Sequence, residues 1–328
     1  MKFQEYRNTG KLKMSSYLKI IDLFAGIGGT RLGFEKAGLD VIQCVFTSEW
    51  DKYSVQTYKA NFGEEYIHGD ITKIATKDIP NHDILLAGFP CQPFSQAGLK
   101  KGFSDTRGTL FFDIERIIKN KKPKAFLLEN VKQLKGHDKG RTLEIILEHL
   151  QDIGYTNIQY KVLRARDFGL PQNRERIYIV GFLDAKINFK FPVPSYKKTK
   201  VGDILEQYID EKYTISDRLW EGHQRRKREN KIKGKGFGYG IVNKESEYTN
   251  TISARYYKDG SEILIEQEGK NPRKVTPREA ARLQGFPDDF KIPVSDTQAY
   301  RQFGNSVPVK VIEKIAEEML KHLKKKKN

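Results

Sequence analysis

From Leu18 to Phe182, short β-rich apolar runs alternate with amphipathic helical stretches, and this rhythm constrains the fold more than any other feature of the chain. Leu18 to Phe24, Val41 to Phe46, Ile84 to Ala87, Ala125 to Leu128, Tyr160 to Leu163 and Ile177 to Val180 read as strands. Asp51 to Asn61, Thr109 to Lys119 and Thr142 to Leu150 carry helical spacing with polar faces. Strands alternating with helices predict a parallel α/β sheet. In such a sheet the carboxyl ends of the strands converge on one crevice, so the residues closing each strand are the first candidates for chemistry.

The first strand closes into Asp22-Leu23-Phe24-Ala25-Gly26-Ile27-Gly28-Gly29, where glycines permit a tight turn and close approach of a ligand. Glu49 follows at the end of the second strand, placed to accept ribose hydroxyls. A nucleoside cofactor is expected, but the segment lacks the full GxGxxG and no GKS/T follows, which weakens dinucleotide and phosphate-loop readings. Trp50 can cover an adenine face, or be a core aromatic; Asp70 can accept from an adenine amino group, or cap a helix.

The run Ile84 to Ala87 enters Gly88-Phe89-Pro90-Cys91-Gln92-Pro93-Phe94-Ser95. Free cysteine usually packs as a small hydrophobe. Here Pro90 fixes φ beside the thiol, and the Gly-, Ser- and Lys-rich stretch from Gln92 to Gly108 suits a loop that closes over a substrate, so Cys91 reads as a presented nucleophile. Glu129-Asn130-Val131 ends another strand, and Gln172-Asn173-Arg174-Glu175-Arg176 leads into the next. Thiol, carboxylate and guanidinium can therefore meet at one edge. Glu129 as a helix cap and Arg174 or Arg176 as surface ion pairs are the plainer alternatives.

After about residue 184 the rhythm stops, and a second domain of different architecture is expected to about Val275. It holds 20 Lys+Arg against 13 Asp+Glu and the basic run Arg225-Arg226-Lys227-Arg228, which reads as phosphate-facing or solvated. Helix signals return at Thr276-Pro277-Arg278-Glu279, an N-cap with an N1 proline and an acidic first turn, and again from Pro308. The whole chain of 328 residues carries a net charge of +17, of which five charges belong to lysines of the terminal KHLKKKKN. The remaining excess still calls for a polyanionic partner. Two cysteines, Cys44 and Cys91, make no disulfide framework, and six scattered histidines without a CxxC or HxE pattern argue against a metal site. No apolar run suits a membrane span or a signal peptide, so a cytoplasmic protein without membrane association is expected.

Taken together, DLFAGIGG, Glu49-Trp50, GFPCQPFS, ENV, QNRER, TPREAARLQGFP and QFGNSV resemble, in order and spacing, the motif set of the cytosine-C5 DNA methyltransferases, over roughly residues 18–184 and 276–323. The resemblance implies an N-terminal extension (1–17), a Rossmann-like, S-adenosyl-L-methionine-dependent catalytic domain (18–184), a smaller inserted target-recognition domain (185–275) and a C-terminal segment completing the catalytic domain (276–328). It implies Phe24, Gly26, Gly28, Gly29, Glu49, Trp50, Asp70 and Asn305 as cofactor-binding residues; Asn305 alone would read as a turn residue. Cys91 would be the nucleophile, with Glu129, Arg174 and Arg176 completing the catalytic set and Gln92 and Ser95 on the DNA side of the loop. Ala97 departs from a serine found at that loop position in a relative.

The chemistry is consistent with those roles. C5 of cytosine is too electron-poor to attack a methyl sulfonium, so a nucleophile must first add at C6. The Cys91 thiolate would add there while Glu129 handles the proton at N3 and Arg176 holds O2; loss of the C5 proton then releases Cys91. The target base lies in a duplex stack and must be flipped out.

The segments Gly236 to Gly240 and Thr251 to Gly260 resemble the recognition part of bacterial enzymes that methylate the internal cytosine of CCWGG or CCNGG, with Thr251 and Arg255 as DNA-binding candidates. Arg255 suits bidentate contact with guanine or contact with phosphate equally. The expected partner is double-stranded DNA, with a cognate restriction endonuclease in the same system and no stable complex, and a monomer is expected. Three competing functions are weaker. An RNA cytosine-C5 methyltransferase shares the sheet motifs but not such an insert, a dehydrogenase has no use for PCQ with ENV and QNRER, and a non-catalytic DNA-binding protein would not need Cys91, Glu129 and Arg176 together.

Overall fold

The computed structural model describes residues 17–63, 66–90, 110–236 and 238–323. Cys91, Gln92, Ser95 and Ala97 lie outside the described residues. Contacts divide the chain into two compact units: a sheet unit made of the described residues up to Leu163, Glu175–Val193 and Val311 onward, and a second unit made of Arg164–Arg174 and Pro194–Lys310.

The sheet unit is built on seven strands, β1 (Leu18–Leu23), β2 (Ile42–Ser48), β3 (Ile67–His68), β4 (Ile84–Gly88), β5 (Ala125–Val131), β6 (Asn157–Arg164) and β7 (Glu175–Phe182). They lie in the order β3-β2-β1-β4-β5-β7-β6. β4 and β5 are the centre: Ile84, Leu85, Leu86, Phe126, Leu127 and Leu128 have no exposed surface. That is why they read as unbroken apolar runs rather than alternating ones. Burying each such side chain contributes about 1.5–3 kcal/mol.

Helices α1 (Gly29–Gly38), α2 (Lys52–Phe62), α3 (Leu110–Lys121) and α4 (Arg141–Asp152) connect the strands. α2 starts where Asp51 accepts from the Ser54 N–H at 2.8 Å. α3 turns Phe111, Ile114, Ile117 and Ile118 inward, and α4 turns Leu143, Ile146 and Leu150. Both faces close the same apolar cluster.

The expected all-parallel sheet needs one correction. β1 to β5 pair in parallel, but β7 runs antiparallel to β5, with Val131 opposite Arg176 and Glu129 opposite Tyr178. A parallel return needs a crossover of a dozen or more residues, usually a helix. Between β6 and β7 stand only residues 165–174, whose one regular element is the short 3₁₀ turn Ala165–Phe168.

The second unit holds three two-residue strands, β8 (Ile241–Val242), β9 (Leu264–Ile265) and β10 (Arg273–Lys274), in the order β10-β9-β8, and helices α5 (Asp217–Ile232), α6 (Pro277–Leu283) and α7 (Asp296–Asn305). The basic run Arg225 to Arg228 lies on α5, and part of it is occupied: Arg226 pairs with Asp259 at 3.0 Å and the Lys227 ammonium sits 4.1 Å from the centre of the Tyr239 ring. α6 begins at Thr276, the N-cap read from the sequence and here part of a capping box with Glu279, and Glu279 is fully buried against Arg273 in a two-pronged ion pair of 2.7 and 2.9 Å. Arg282 donates to the Ile204 carbonyl at 3.1 Å, and the Tyr300 hydroxyl of α7 donates to the Val275 carbonyl at 2.6 Å. These bonds are why α6 and α7 share a contact unit with residues 194–275, although the sequence groups them with the catalytic domain.

The last helix, α8 (Val309–Leu323), returns to the sheet unit from Val311 onward and packs on α1. A Cβ on Gly33 would meet Ile312 at 2.5 Å, and one on Gly38 would meet Leu320 at 2.7 Å, so the two helices approach through glycine.

Candidate active site and recognition segment

The strand order reverses direction at β1: the chain builds outward to β2 and β3 on one side and to β4 and β5 on the other. The carboxyl ends of β1 and β4 therefore flank the crevice where open α/β sheets take their ligands. At the end of β1, Phe24, Gly26 and Gly28 all have positive φ, at 54°, 54° and 82°. A Cβ on Gly28 would meet the Phe62 ring at 2.3 Å, whereas one on Gly26 would meet nothing within 4 Å. Gly28 thus serves packing, and Gly26 faces open space.

Glu49 holds this turn in place. One carboxylate oxygen accepts from the Gly26 N–H at 2.7 Å, and the other accepts from Trp50 and Asp51 at 2.9 and 2.7 Å. Burial pushes its carboxyl up from the ordinary glutamate range, opposed by those same backbone bonds. Three of about four acceptor positions are thereby taken. Trp50 is 81% exposed, which removes the core-aromatic reading. Asp70 does cap a 3₁₀ turn, accepting from the Thr72 N–H at 3.0 Å and hydroxyl at 2.8 Å through one oxygen, Oδ1. Gly69 beside it also faces open space. Half-buried Phe24, the Gly26 turn, the exposed indole and Asp70 make an open, partly aromatic ledge with acceptors, which fits a nucleoside-bearing sulfonium.

Beneath the ledge lies a network that sequence reasoning missed. Asp22, Arg31, Glu35, Thr47 and Tyr58 are all buried. Arg31 donates to Glu35 at 2.6 Å and to the Tyr58 hydroxyl at 3.1 Å, with its guanidinium carbon 4.5 Å from the centre of the Phe62 ring. Burial holds the Asp22 carboxyl well above its usual range despite the Arg31 charge. Arg31 and Glu35 stand at i and i+4 on a helix, a spacing that reads as a solvent-facing pair. Their one warning sign is the apolar company of Leu32 and Phe34.

At the end of β4, Gly88 pairs in register with Glu129 of β5. A Cβ on Gly88 would approach Glu129 Oε2 to 3.3 Å, so the carboxylate lies directly over the glycine. Arg176 Nε stands 3.1 Å from Glu129 Oε1, both side chains being largely buried. Asn130 is the residue here to which the sequence assigned no role. Its buried amide donates to the Phe89 carbonyl at 2.9 Å and its oxygen accepts from the Val131 N–H at 2.8 Å, which fixes the chain just before Pro90 and Cys91. Glu129, Arg176 and the exit toward Cys91 are thus brought together.

Arg174 belongs to the second unit and does different work. It is 1% exposed, and its terminal nitrogens donate to the carbonyls of Ile252 at 3.0 Å, Gly304 at 2.9 Å and Ser306 at 2.6 Å. It therefore grips the backbone on both sides of exposed Asn305 and within the Thr251 to Gly260 segment. A Cβ on Gly304 would meet the Ser253 carbonyl at 2.3 Å, so these two segments touch backbone to backbone. The Thr251 hydroxyl donates to the Asn173 carbonyl at 2.7 Å, while the Arg255 side chain is exposed. Among the described residues there is no group of three or more His, Cys, Asp or Glu that could hold a metal ion, and no helix long and apolar enough to cross a membrane.

The family model for C-5 cytosine-specific DNA methylases matches residues 18–321. The chain belongs to that family. C-5 cytosine-specific DNA methylases use S-adenosyl-L-methionine in general, and they act on cytosine C5 in DNA. Among relatives of this DNA methylase, the Type II methyltransferase M.NlaX of Neisseria lactamica is 74% identical over 301 residues, covering 92% of this chain and 96% of its own. The Type II methyltransferase M1.ScrFI of Lactococcus lactis subsp. cremoris is 66% identical over 327 residues, covering 98% and 82%. The solved structure of the Schizosaccharomyces pombe Dnmt2 methyltransferase superposes with a TM-score of 0.79 at 22% identity, covering 94% of this chain and all of that one. At that identity the likeness speaks for the fold of this methylase alone.

Proposed function

We propose that this DNA methylase transfers the methyl group of S-adenosyl-L-methionine to C5 of a flipped cytosine in one short duplex sequence, as the protecting partner of a restriction endonuclease. The observation that carries the residue assignment is the Glu129–Arg176 pair at the edge where β4 leads out toward Cys91. The cofactor supplies the electrophilic methyl group. Phe24, the Gly26 turn, Trp50 and Asp70 receive it, and Glu49 has one acceptor position left for a ribose hydroxyl. Gly28 and Gly29 shape the turn, and Asn305, the last residue of α7, is the remaining cofactor-binding candidate.

At the base, Cys91 supplies the thiolate that adds to C6, Glu129 manages the proton at N3, and Arg176 fixes Glu129 and the O2 edge. Arg174 orients backbone rather than touching the base. Gln92 and Ser95 meet the DNA from the segment after Cys91, and Thr251 and Arg255 from the recognition segment. That these relatives are Type II methyltransferases supports a restriction–modification role. The segment from Thr251 to Gly260 supports a target of the CCWGG or CCNGG kind. Digestion of methylated plasmid with endonucleases blocked at those sites tests it: protection is expected, and full cleavage at every such site rejects that target.

A further inference from the structure

The segment from Ser253 to Gly260 is held at three points. At its far end Asp259 is paired with Arg226 at 3.0 Å and accepts from the Ser261 N–H at 3.1 Å. In its middle the fully buried Tyr256 donates its hydroxyl to the Ile263 carbonyl at 2.6 Å and accepts from the Val275 N–H at 2.9 Å. At its near end the Ser253 hydroxyl donates to the Glu262 carboxylate. The same hydroxyl oxygen accepts from the Arg255 backbone N–H at 3.1 Å.

A serine hydroxyl has one proton and two lone pairs. With its proton directed at Glu262, its lone pairs are turned toward the Arg255 N–H, so the carboxylate sets the orientation of the group that holds Arg255. Glu262 is itself fixed through its main chain: its carbonyl accepts from the Asn250 side chain at 3.1 Å, and a Cβ on Gly240 would meet that carbonyl at 2.6 Å. The Arg255 guanidinium carries no ion pair or side-chain hydrogen bond among the described residues. Arg226 and Arg301 nearby are engaged, the first with Asp259 and the second with the Tyr257 hydroxyl at 3.2 Å.

We infer that Glu262 is a specificity-positioning residue: through the Ser253 hydroxyl it sets the backbone register from which Arg255 reads one guanine of the target. This rests on the reading of Arg255 as a base contact rather than a phosphate contact. A bidentate arginine discriminates bases only when its planar fork is aligned, and loosening its backbone anchor loses alignment before it loses charge. Glu262 touches no base and acts through Ser253. What matters is its acceptor oxygen, so Glu262→Gln, which keeps an acceptor, preserves the arrangement.

The test uses the full-length protein on a randomised duplex library, with methylated cytosines mapped at base resolution and discrimination read position by position. Arg255→Ala is expected to relax one guanine position. Glu262→Ala and Ser253→Ala are expected to relax that same position about tenfold, while Glu262→Gln and Ser253→Thr stay within about twofold of the unsubstituted protein. Should Glu262→Ala fail to fold, Ser253→Ala and its threonine rescue decide the matter alone. If Arg255→Ala relaxes a guanine but neither Glu262→Ala nor Ser253→Ala does, the positioning role is overturned and the base contact stands. If Arg255→Ala weakens all sequences equally, Arg255 contacts phosphate, and the underlying reading fails with the proposal.

Discussion

Glu129 and Arg176 reach the same point from strands that run in opposite directions. Antiparallel register sets Val131 opposite Arg176, and the long Arg176 side chain then spans back to place Nε 3.1 Å from Glu129 Oε1. The pair is largely withdrawn from water, so the guanidinium is a fixed, poorly screened charge beside the carboxyl proposed to handle a proton. Arg176→Ala is expected to lower kcat about 10²-fold, the usual cost of losing one aligned charged donor at a reacting centre. Arg176→Lys keeps the charge without the planar fork and is expected to recover only part of it. Single-turnover methyl transfer and covalent trapping by a duplex containing 5-fluorocytosine measure the two consequences separately.

Asn130 is a quieter element of the same edge. Its amide spans from β5 to the Phe89 carbonyl, two residues before Cys91. Asn130→Ala leaves that carbonyl without its donor and is expected to cost about 1–3 kcal/mol in urea unfolding. The rate should fall as well, since the chain leading to Cys91, the proposed nucleophile, loses its anchor.

The sheet unit was legible because short unbroken apolar runs recur between amphipathic helical stretches, the alternation that a buried parallel sheet leaves in a sequence. Its carboxyl edge was legible because glycine, cysteine, acid and arginine there interrupt apolar runs. The direction of β7 was not, since an apolar run carries no sign of which way it runs, and only the lack of a helix between Leu163 and Ile177 hinted at it. The partners of Arg174 were hidden for a related reason. An arginine in a polar loop looks like an exposed or catalytic charge, and its carbonyl partners at Ile252, Gly304 and Ser306 are 78 to 132 residues away in sequence. Arg31 and Glu35 were hidden by the same ambiguity, a buried ion pair wearing the spacing of a surface one.

Gly28 offers a sharp steric test of the proposed cofactor ledge. Gly28→Ala introduces a Cβ 2.3 Å from the Phe62 ring at a backbone φ of 82°. The strain, about 1–3 kcal/mol, falls on the turn that carries Gly26. Titration calorimetry is expected to show S-adenosyl-L-methionine binding weakened about tenfold, the equivalent of about 1.4 kcal/mol.

Asp22 predicts a pH signature. Burial raises its carboxyl well above the ordinary aspartate range, the Arg31 charge opposing it. A carboxyl of raised folded pKa holds its proton more tightly folded than unfolded. Its contribution to stability is therefore complete below the unfolded value near about pH 4 and is lost as pH climbs to the raised value. Asp22→Asn keeps a neutral polar group in place and removes that loss. Urea midpoints from acid to neutral pH should show the asparagine variant gaining on the unsubstituted protein as pH rises, by at most about 1.4 kcal/mol per unit.

The measurement that tests the central claim most directly is transfer of labelled methyl from S-adenosyl-L-methionine to unmethylated bacterial DNA, mapped at base resolution, with Cys91→Ser in parallel. The expected result is C5-methylcytosine within one short motif, absent with the serine variant. Incorporation into RNA but not DNA, or DNA methylation that survives Cys91→Ser, would contradict the account.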